Sequence, residues 1–180
     1  DTPFHLIGEG GDDRLFGGNS SDTIEGKSGD DFINSGPGKD TIYGGKGNDT
    51  LYGGEGDDRI IGGKGVDNIY GGSGNDHISV GVGTYRFNDD DEKEIQYIDA
   101  GEGDDYIEGR DNQKIIAGSG NDVIWGAFSY LDAGEGDDQR RAVHGAREPG
   151  RLVHLRRRDS HPPRLRRRWA RRIARKEQLW

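Results

Sequence analysis

The chain has 180 residues, of which only 29% are hydrophobic, and it contains 33 glycines and no cysteine. These values exclude a disulfide framework and, taken alone, are typical of disorder, and no apolar run approaches the ~20 residues of a membrane-spanning helix. The net charge of −9 is uneven, because residues 1–138 carry 31 acidic and 10 basic side chains whereas residues 139–180 carry 3 and 15.

The N-terminal residues, DTPFHLIG, contain neither an initiator Met nor a basic-then-apolar signal sequence. We therefore expect the chain to be part of a longer protein. Leu6 lies nine residues before Leu15, the first member of an apolar register described next, and Phe4 stands where that register would have Asp. This predicts that the first residues cap a repeat array.

Residues 8–79 form eight consecutive nine-residue units without an insertion. They read GEGGDDRLF, GGNSSDTIE, GKSGDDFIN, SGPGKDTIY, GGKGNDTLY, GGEGDDRII, GGKGVDNIY and GGSGNDHIS. The first, second and fourth positions are mostly Gly, and the eighth is always Leu or Ile. The sixth position is Asp in every unit: Asp13, Asp22, Asp31, Asp40, Asp49, Asp58, Asp67 and Asp76. A period held this strictly indicates a repeat architecture.

The residue types within a unit predict its local structure. Positions 7 to 9 are rich in β-branched and aromatic residues, which favour a strand with position 8 on one face and positions 7 and 9 on the other. The Gly-rich remainder allows positive φ angles and predicts a chain reversal. One unit then reverses the chain, two units close a turn, and equivalent residues stack every 18 positions in two parallel sheets.

This stacking places the aspartates in two rows, with neighbours about one strand spacing (~4.8 Å) apart. Two carboxylates at ~5 Å repel by roughly 3 kcal/mol at an effective dielectric near 20. Cations between them would relieve that repulsion, and carboxylate and carbonyl oxygens suit Ca²⁺ better than Mg²⁺ or transition metals. The alternative is that each Asp only caps a Gly turn through its own hydrogen bonds.

The units resemble the RTX (repeats-in-toxin) family, whose repeat is GGxGxDxUx. The resemblance implies an all-β, right-handed parallel β-roll in which several Ca²⁺ ions lie between one loop and the next on the same side. The aspartate pairs that would share an ion are Asp13/Asp31, Asp31/Asp49, Asp49/Asp67, Asp22/Asp40, Asp40/Asp58 and Asp58/Asp76. The implied carbonyl ligands are Gly44, Gly45, Gly47, Gly53, Gly54, Gly56, Gly62, Gly63, Gly71, Gly72 and Gly74. The match is strict over residues 8–79, fits best from 44 to 79 and reaches Asp138 loosely. Its departures are Glu9, Lys27, Ser20 and Ser35.

Residues 80–98 break the period with an acidic run, which predicts a solvated loop extruded from the roll. Looser repeats resume at 99–138, with Asp105 and Asp122 as further candidate ligands. In this interpretation Lys114 takes the Asp position of a unit at 109–117, Ile116 is its apolar residue, and the unit around Asp122 is one residue short. Residues 97–105 recur almost unchanged at 130–138, after which Arg140 occupies the aliphatic position and the pattern ends.

Residues 139–180 hold 14 Arg and one Lys. Three interpretations remain open for this tail. It is a frame-shifted or otherwise non-native reading of repeat-coding DNA, an authentic disordered basic segment, or a basic amphipathic helix at 164–177 that docks on a membrane or nucleic acid.

The resemblance implies a secreted, extracellular module that folds on binding calcium and serves type I secretion and folding of a larger toxin, hydrolase or adhesin. Its expected partners are calcium, a neighbouring domain and the secretion machinery. No catalytic motif is present, so we predict that these residues are not an enzyme, although an enzyme domain could adjoin them. A third hypothesis is an adhesive or sugar-binding surface, because Tyr52 and Tyr70 should stack on the outer face. Plain cross-strand packing is the favoured interpretation of these rings.

Overall fold

The computed structural model describes residues 2–81, 96–109, 113–126, 128 and 130–141, and the backbone of 153–156. Sixteen strands, numbered in chain order, form two eight-stranded parallel sheets. Sheet 1 contains β1 (His5–Ile7), β3 (Thr23–Ser28), β5 (Thr41–Lys46), β7 (Arg59–Lys64), β9 (His77–Ser79), β11 (Tyr106–Glu108), β13 (Val123–Trp125) and β15 (Gln139–Arg141). Sheet 2 contains β2 (Arg14–Phe16), β4 (Phe32–Pro37), β6 (Thr50–Glu55), β8 (Asn68–Ser73), β10 (Gln96–Glu102), β12 (Gln113–Ile116), β14 (Tyr130–Glu135) and β16 (Val153–Arg156).

The chain alternates between the two sheets at every strand, so two strands complete one coil of a flattened β-solenoid. This is the predicted all-β, parallel architecture. The described part of the chain contains no helix that could cross a membrane.

Each regular strand is longer than the sequence pattern predicts. β5 and β6 cover six residues, from position 7 of one unit to position 3 of the next, with the alternating burial of a strand. The strand continues because the Gly at position 1 lies buried on the inner face, and position 2 still pairs with its neighbour, as Lys27 does with Gly45. Only positions 4 to 6 make the reversal, so the prediction of a six-residue turn was wrong.

The coil length changes along the chain. In residues 2–81, here called the first region, equivalent residues are 18 apart, as Thr41 and Arg59 are. Across the gap after Gly81 the spacing is 29, because Asn68 pairs with Tyr97. In residues 96–141, here called the second region, it falls to 17 between Tyr97 and Lys114 and to 16 between Lys114 and Tyr130. The acidic run predicted to form a loop lies outside the described residues, but the solenoid resumes in register after it.

One apolar column runs through both regions. The side chains at position 8 meet between the two sheets, with Leu6 and Leu15 partly buried at the N-terminal end. Those that are fully buried are Ile24, Ile33, Ile42, Leu51, Ile60, Ile69, Ile78, Ile98, Ile107, Ile115 and Ile124. Burial of each side chain of this size contributes ~1.5–3 kcal/mol, so the column holds the two regions in one solenoid.

The placement of Lys114 at an Asp position was wrong. Gln113 pairs with Gln96, and Lys114 pairs with Tyr97, which puts Lys114 on the outer face. There its ammonium lies 5.3 Å and 5.6 Å from the ring centres of Tyr97 and Tyr130. The buried aliphatic residue is Ile115, and Ile116 is half-buried. The short unit therefore ends at Ile116, and the unit around Asp122 has its full nine residues.

Among the described residues, two strands lie beyond Asp138. Arg140 pairs with Ile124, as the register predicts, but its side chain is exposed and its guanidinium lies 5.0 Å from the ring centre of Phe128. The backbone of β16 pairs with β14. The proposed helix at 164–177 lies outside the described residues.

Candidate calcium site

The aspartates form the two predicted rows, one at each edge of the solenoid. Row 1 precedes the strands of sheet 1 and contains Asp22, Asp40, Asp58, Asp76, Asp105, Asp122 and Asp138. Row 2 precedes the strands of sheet 2 and contains Asp13, Asp31, Asp49 and Asp67. Every candidate aspartate named from the sequence therefore lies in one of these rows.

In every Asp after the first of its row, one carboxylate oxygen is committed to the backbone. Oδ1 accepts a hydrogen bond from the backbone N–H of the preceding Asp in its row, one coil earlier. In row 1 the donor–acceptor distance is 2.8 Å from Asp40 to Asp58 and 2.8 Å from Asp58 to Asp76. In row 2 it is 3.0 Å from Asp31 to Asp49 and 3.0 Å from Asp49 to Asp67. These bonds join neighbouring coils and so differ from the capping of its own turn that was considered for each Asp from the sequence, and they use only one oxygen per carboxylate.

The second carboxylate oxygen, Oδ2, is buried and has no hydrogen-bond donor in most of the row members. These are Asp13, Asp31, Asp40, Asp49, Asp58, Asp76, Asp105 and Asp122. Among the described row aspartates, Asp22 and Asp67 do have an Oδ2 donor. A buried anionic oxygen without a partner is strongly unfavourable, so each such oxygen indicates a missing cation or donor.

The orphaned oxygens face a backbone carbonyl of the next coil. A Cβ added at Gly44 would collide with both Oδ2 of Asp49 and the carbonyl oxygen of Gly62. Gly53 lies in the same way between Oδ2 of Asp58 and the carbonyl of Gly71. The position-1 glycines therefore leave a small space in which carboxylate and carbonyl oxygens converge. Such a set of hard oxygen donors fits Ca²⁺.

Burial makes the ionised form of these carboxylates unfavourable in the absence of a cation. It raises the pKa of Asp49, Asp58 and Asp122 to about 7 and that of Asp76 to about 8, and neighbouring aspartates in the rows add to the rise. Backbone hydrogen bonds to these carboxylates oppose the shift without cancelling it. A bound divalent cation would supply the positive charge that the ionised rows need.

Among the described residues, no three His, Cys, Asp or Glu side chains form a cluster able to hold a metal. This does not conflict with calcium binding, because each space beside a position-1 Gly combines a carboxylate with backbone carbonyls rather than three acidic side chains. Ca²⁺ accepts backbone carbonyls as ligands.

The other candidate glycines serve the stacking of the loops. Gly45 and Gly47 have φ of 122° and 128°, and a Cβ on either would overlap a carbonyl of the preceding coil. The glycines at positions 2 and 4 of the following units, Gly54, Gly56, Gly63, Gly72 and Gly74, have the same geometry. Glu9 and Lys27 adopt positive φ without being Gly, so these two departures keep the loop shape at a cost in strain. Buried Ser35 also keeps it, with its hydroxyl donating to the Gly53 carbonyl at 2.6 Å.

A third set of polar residues was missed by the sequence analysis. At position 5, the side chain accepts a hydrogen bond from the backbone N–H one coil later, as from Asn48 to Asp30 at 2.7 Å and from Val66 to Asn48 at 2.9 Å. The recurrence of Asp and Asn at position 5 was the available signal. These bonds run in the opposite direction to those of the Asp rows, so each loop is tied to both neighbours.

Row 2 also continues further than predicted, but with amides. Gln96 and Gln113 occupy its next two places and are buried. The pattern Gln-x-Ile in place of Asp-x-Ile was the signal in the sequence that could have placed these glutamines in row 2. Asp138, assigned no role from the sequence, ends row 1 by accepting from the Asp122 N–H at 3.1 Å.

The outer face of sheet 2 carries a ladder of aromatic rings. Tyr52 and Tyr70 stack as predicted, with ring centres 4.6 Å apart and planes 6° apart. Phe16, Phe32 and Tyr97 extend the ladder at centre distances of 5.6–5.8 Å. The rings of the Tyr52–Tyr70 pair face each other, which is cross-strand packing.

Comparison with protein families gives one match. The model described as RTX calcium-binding nonapeptide repeat (4 copies) matches residues 5–33, 16–51, 34–68, 52–85, 97–113 and 109–128. These matches together cover more than half of the chain. No curated protein and no solved structure matches the chain significantly.

Proposed function

Because the chain belongs to the RTX calcium-binding nonapeptide repeat family, we propose that it is the calcium-dependent folding module of a larger secreted protein. The repeats of this family bind Ca²⁺, and the number of units implies several ions. We further propose that calcium binding drives folding outside the cell and so assists export by a type I system.

The observation that carries the proposal is the set of eight buried Oδ2 atoms without a donor. In a chain without calcium, folding would bury these carboxylates in rows with no counter-charge. Binding free energy that is available only to the folded state becomes folding free energy. We therefore propose that the calcium-free chain is unfolded and that calcium-loaded sites stabilise the solenoid.

The ligands in this proposal are the row aspartates together with the carbonyls that face them across position 1. Extracellular calcium modules bind at ~10⁻⁴–10⁻³ M, whereas cytosolic calcium is far lower. Such a chain would stay extended and exportable inside a cell and would fold once outside. A structural role of this kind requires no catalytic group, and any enzyme activity would belong to a neighbouring domain.

An adhesive surface is the second candidate. It would need ring faces open to a ligand, and the packing of Tyr52 against Tyr70 favours a structural role for these rings. We therefore keep the folding module as the proposed function.

A calcium titration of the full chain tests this proposal. Far-ultraviolet circular dichroism should change from coil to β-sheet as Ca²⁺ rises to millimolar concentration, and chelation should reverse the change. Mg²⁺ at the same concentration is the control and should produce little β-sheet. A calcium-free chain with the same β-sheet spectrum as the calcium-loaded chain would contradict the proposal.

A further inference from the structure

The loops of the second region differ according to the sheet that they enter. Those that lead into sheet 1 keep Gly-x-Gly-x-Asp and end in Asp105, Asp122 and Asp138. Their glycines retain the positive φ of the first region, for example 127° at Gly103 and 140° at Gly120. The described loop ends that lead into sheet 2 carry Gln96 and Gln113 instead of Asp. Loops with the Gly-x-Gly-x-Asp pattern and loops without it therefore alternate along this part of the chain.

The two glutamines form a buried chain of amides. Gln96 is 1% exposed and Gln113 is fully buried. Nε2 of Gln113 donates to Oε1 of Gln96 at 2.9 Å. Nε2 of Gln96 in turn donates to the carbonyl oxygen of Gly65 at 2.9 Å and lies 3.5 Å from Oδ2 of Asp67. The amide hydrogens thus point towards the last carboxylate of row 2.

On the same coils, the carboxylates of row 1 lack the Oδ2 donor that Asp67 has in row 2. Asp76, Asp105 and Asp122 each have a buried Oδ2 without a donor. Asp67 has one, because the Gln96 amide reaches its Oδ2. Two neutral amides thus supply at this edge the hydrogen-bond donors that the opposite edge lacks.

Calcium does not fit the Asp67–Gln96–Gln113 end of row 2. A Ca²⁺ ion needs several oxygen ligands, with carboxylates supplying the charge. Here an N–H donor already occupies the side of Gly65 and Asp67 that such an ion would need. The two glutamines contribute no negative charge, and the Oε1 of Gln96 is already used as an acceptor.

We infer that row 2 ceases to bind calcium beyond Asp67, and that the Gln96–Gln113 amide pair replaces the ions there. The second region accordingly binds calcium along row 1 only, whereas the first region binds it along both rows. This inference rests on the proposed function, since it divides the calcium sites between the two edges of the solenoid.

The main test replaces the amide with an isosteric carboxylate. The variant Gln96→Glu removes the N–H donor and restores a charged oxygen beside Asp67. We expect it to bind one Ca²⁺ more than the wild type in equilibrium dialysis of the full chain. Gln139→Glu is the matched control, because Gln139 is exposed in β15, and the same change there should leave the number of bound ions unaltered. An unchanged number in Gln96→Glu, with a native spectrum in calcium, would overturn the inference.

A reciprocal variant covers the case in which Gln96→Glu fails to fold. Asp105→Gln places the row 2 amide in row 1 one strand further along the chain, and it should lose at least one ion. If glutamine at this position can ligate calcium, Asp105→Gln will keep the wild-type number, and the inference is wrong. A wild-type chain that binds no calcium would instead refute the proposed function, and the inference would fall with it.

Discussion

The first and second regions share one apolar core but differ in how their two edges are held. In the first region both edges carry buried carboxylates, and Asp49 in row 2 and Asp58 in row 1 each have an orphaned Oδ2. In the second region row 1 continues with Asp105 and Asp122, whereas row 2 continues with hydrogen-bonded amides. The solenoid backbone therefore does not require charge at both edges. It requires only that each buried polar atom has a partner, which can be an ion or an amide.

Loop stacking should be equally demanding in both regions. Gly56→Ala and Gly120→Ala each put a Cβ at a positive φ and against a carbonyl of the preceding coil. We expect each to destabilise the calcium-saturated protein by about 4 kcal/mol, which combines backbone strain with steric overlap. Urea unfolding followed by circular dichroism measures this change.

Gly11→Ala is the control for this pair, because Gly11 also has a positive φ but a Cβ there would meet no atom within 4 Å. It should cost only about 1–2 kcal/mol, the strain alone. Equal effects at Gly11 and Gly56 would show that stacking does not set the cost.

The common core should tolerate truncation no better in the second region than in the first. Ile115→Ala removes a fully buried side chain and should cost about 3 kcal/mol, similar to Ile60→Ala. Ile116→Ala, one residue later and half-buried, should cost about 1 kcal/mol. The same unfolding experiment distinguishes them, and a larger loss at Ile116 would contradict the register reported for this unit.

Loss of a row 1 carboxylate in the second region should lower the stability of the fold with calcium and raise it without calcium. At a calcium concentration 100-fold above the dissociation constant, Asp122→Asn should lower the free energy of unfolding by about 2.7 kcal/mol if one ion is lost. Without calcium it should raise stability, because it removes a buried charge beside Asp105. Urea unfolding at saturating calcium measures the loss, and the residual β-sheet circular dichroism in chelator measures the gain. A variant with less β-sheet than the wild type in chelator would argue against an ion at Asp122.

Side chains on the outer face should contribute least to the stability of the fold. Lys114→Gln removes the ammonium between Tyr97 and Tyr130 and should cost about 0.5–1 kcal/mol. Lys46→Gln, at another exposed lysine, is the control and should change stability by less than about 0.5 kcal/mol. A change in the number of bound calcium ions on replacing Lys114 would indicate that this lysine belongs to row 2.

Most of the candidate site was predictable because the first region is periodic. Asp at position 6 and Leu or Ile at position 8 recur every nine residues, so the two rows, the core and the 18-residue coil followed from counting. The prediction was wrong where a unit no longer has nine residues. A unit of nine residues placed at 109–117 put Lys114 in row 2, and only the pairing of Gln113 with Gln96 located the missing residue.

The sequence by itself determined the period, the alternation of buried and exposed residues, and the presence of two acidic rows. It did so because these properties depend on spacing along the chain. Only the tertiary structure decided which carboxylate oxygens are left without a donor, and that the glutamines complete row 2. Those features depend on contacts between residues 16 to 31 positions apart, where one deleted residue shifts every partner that follows.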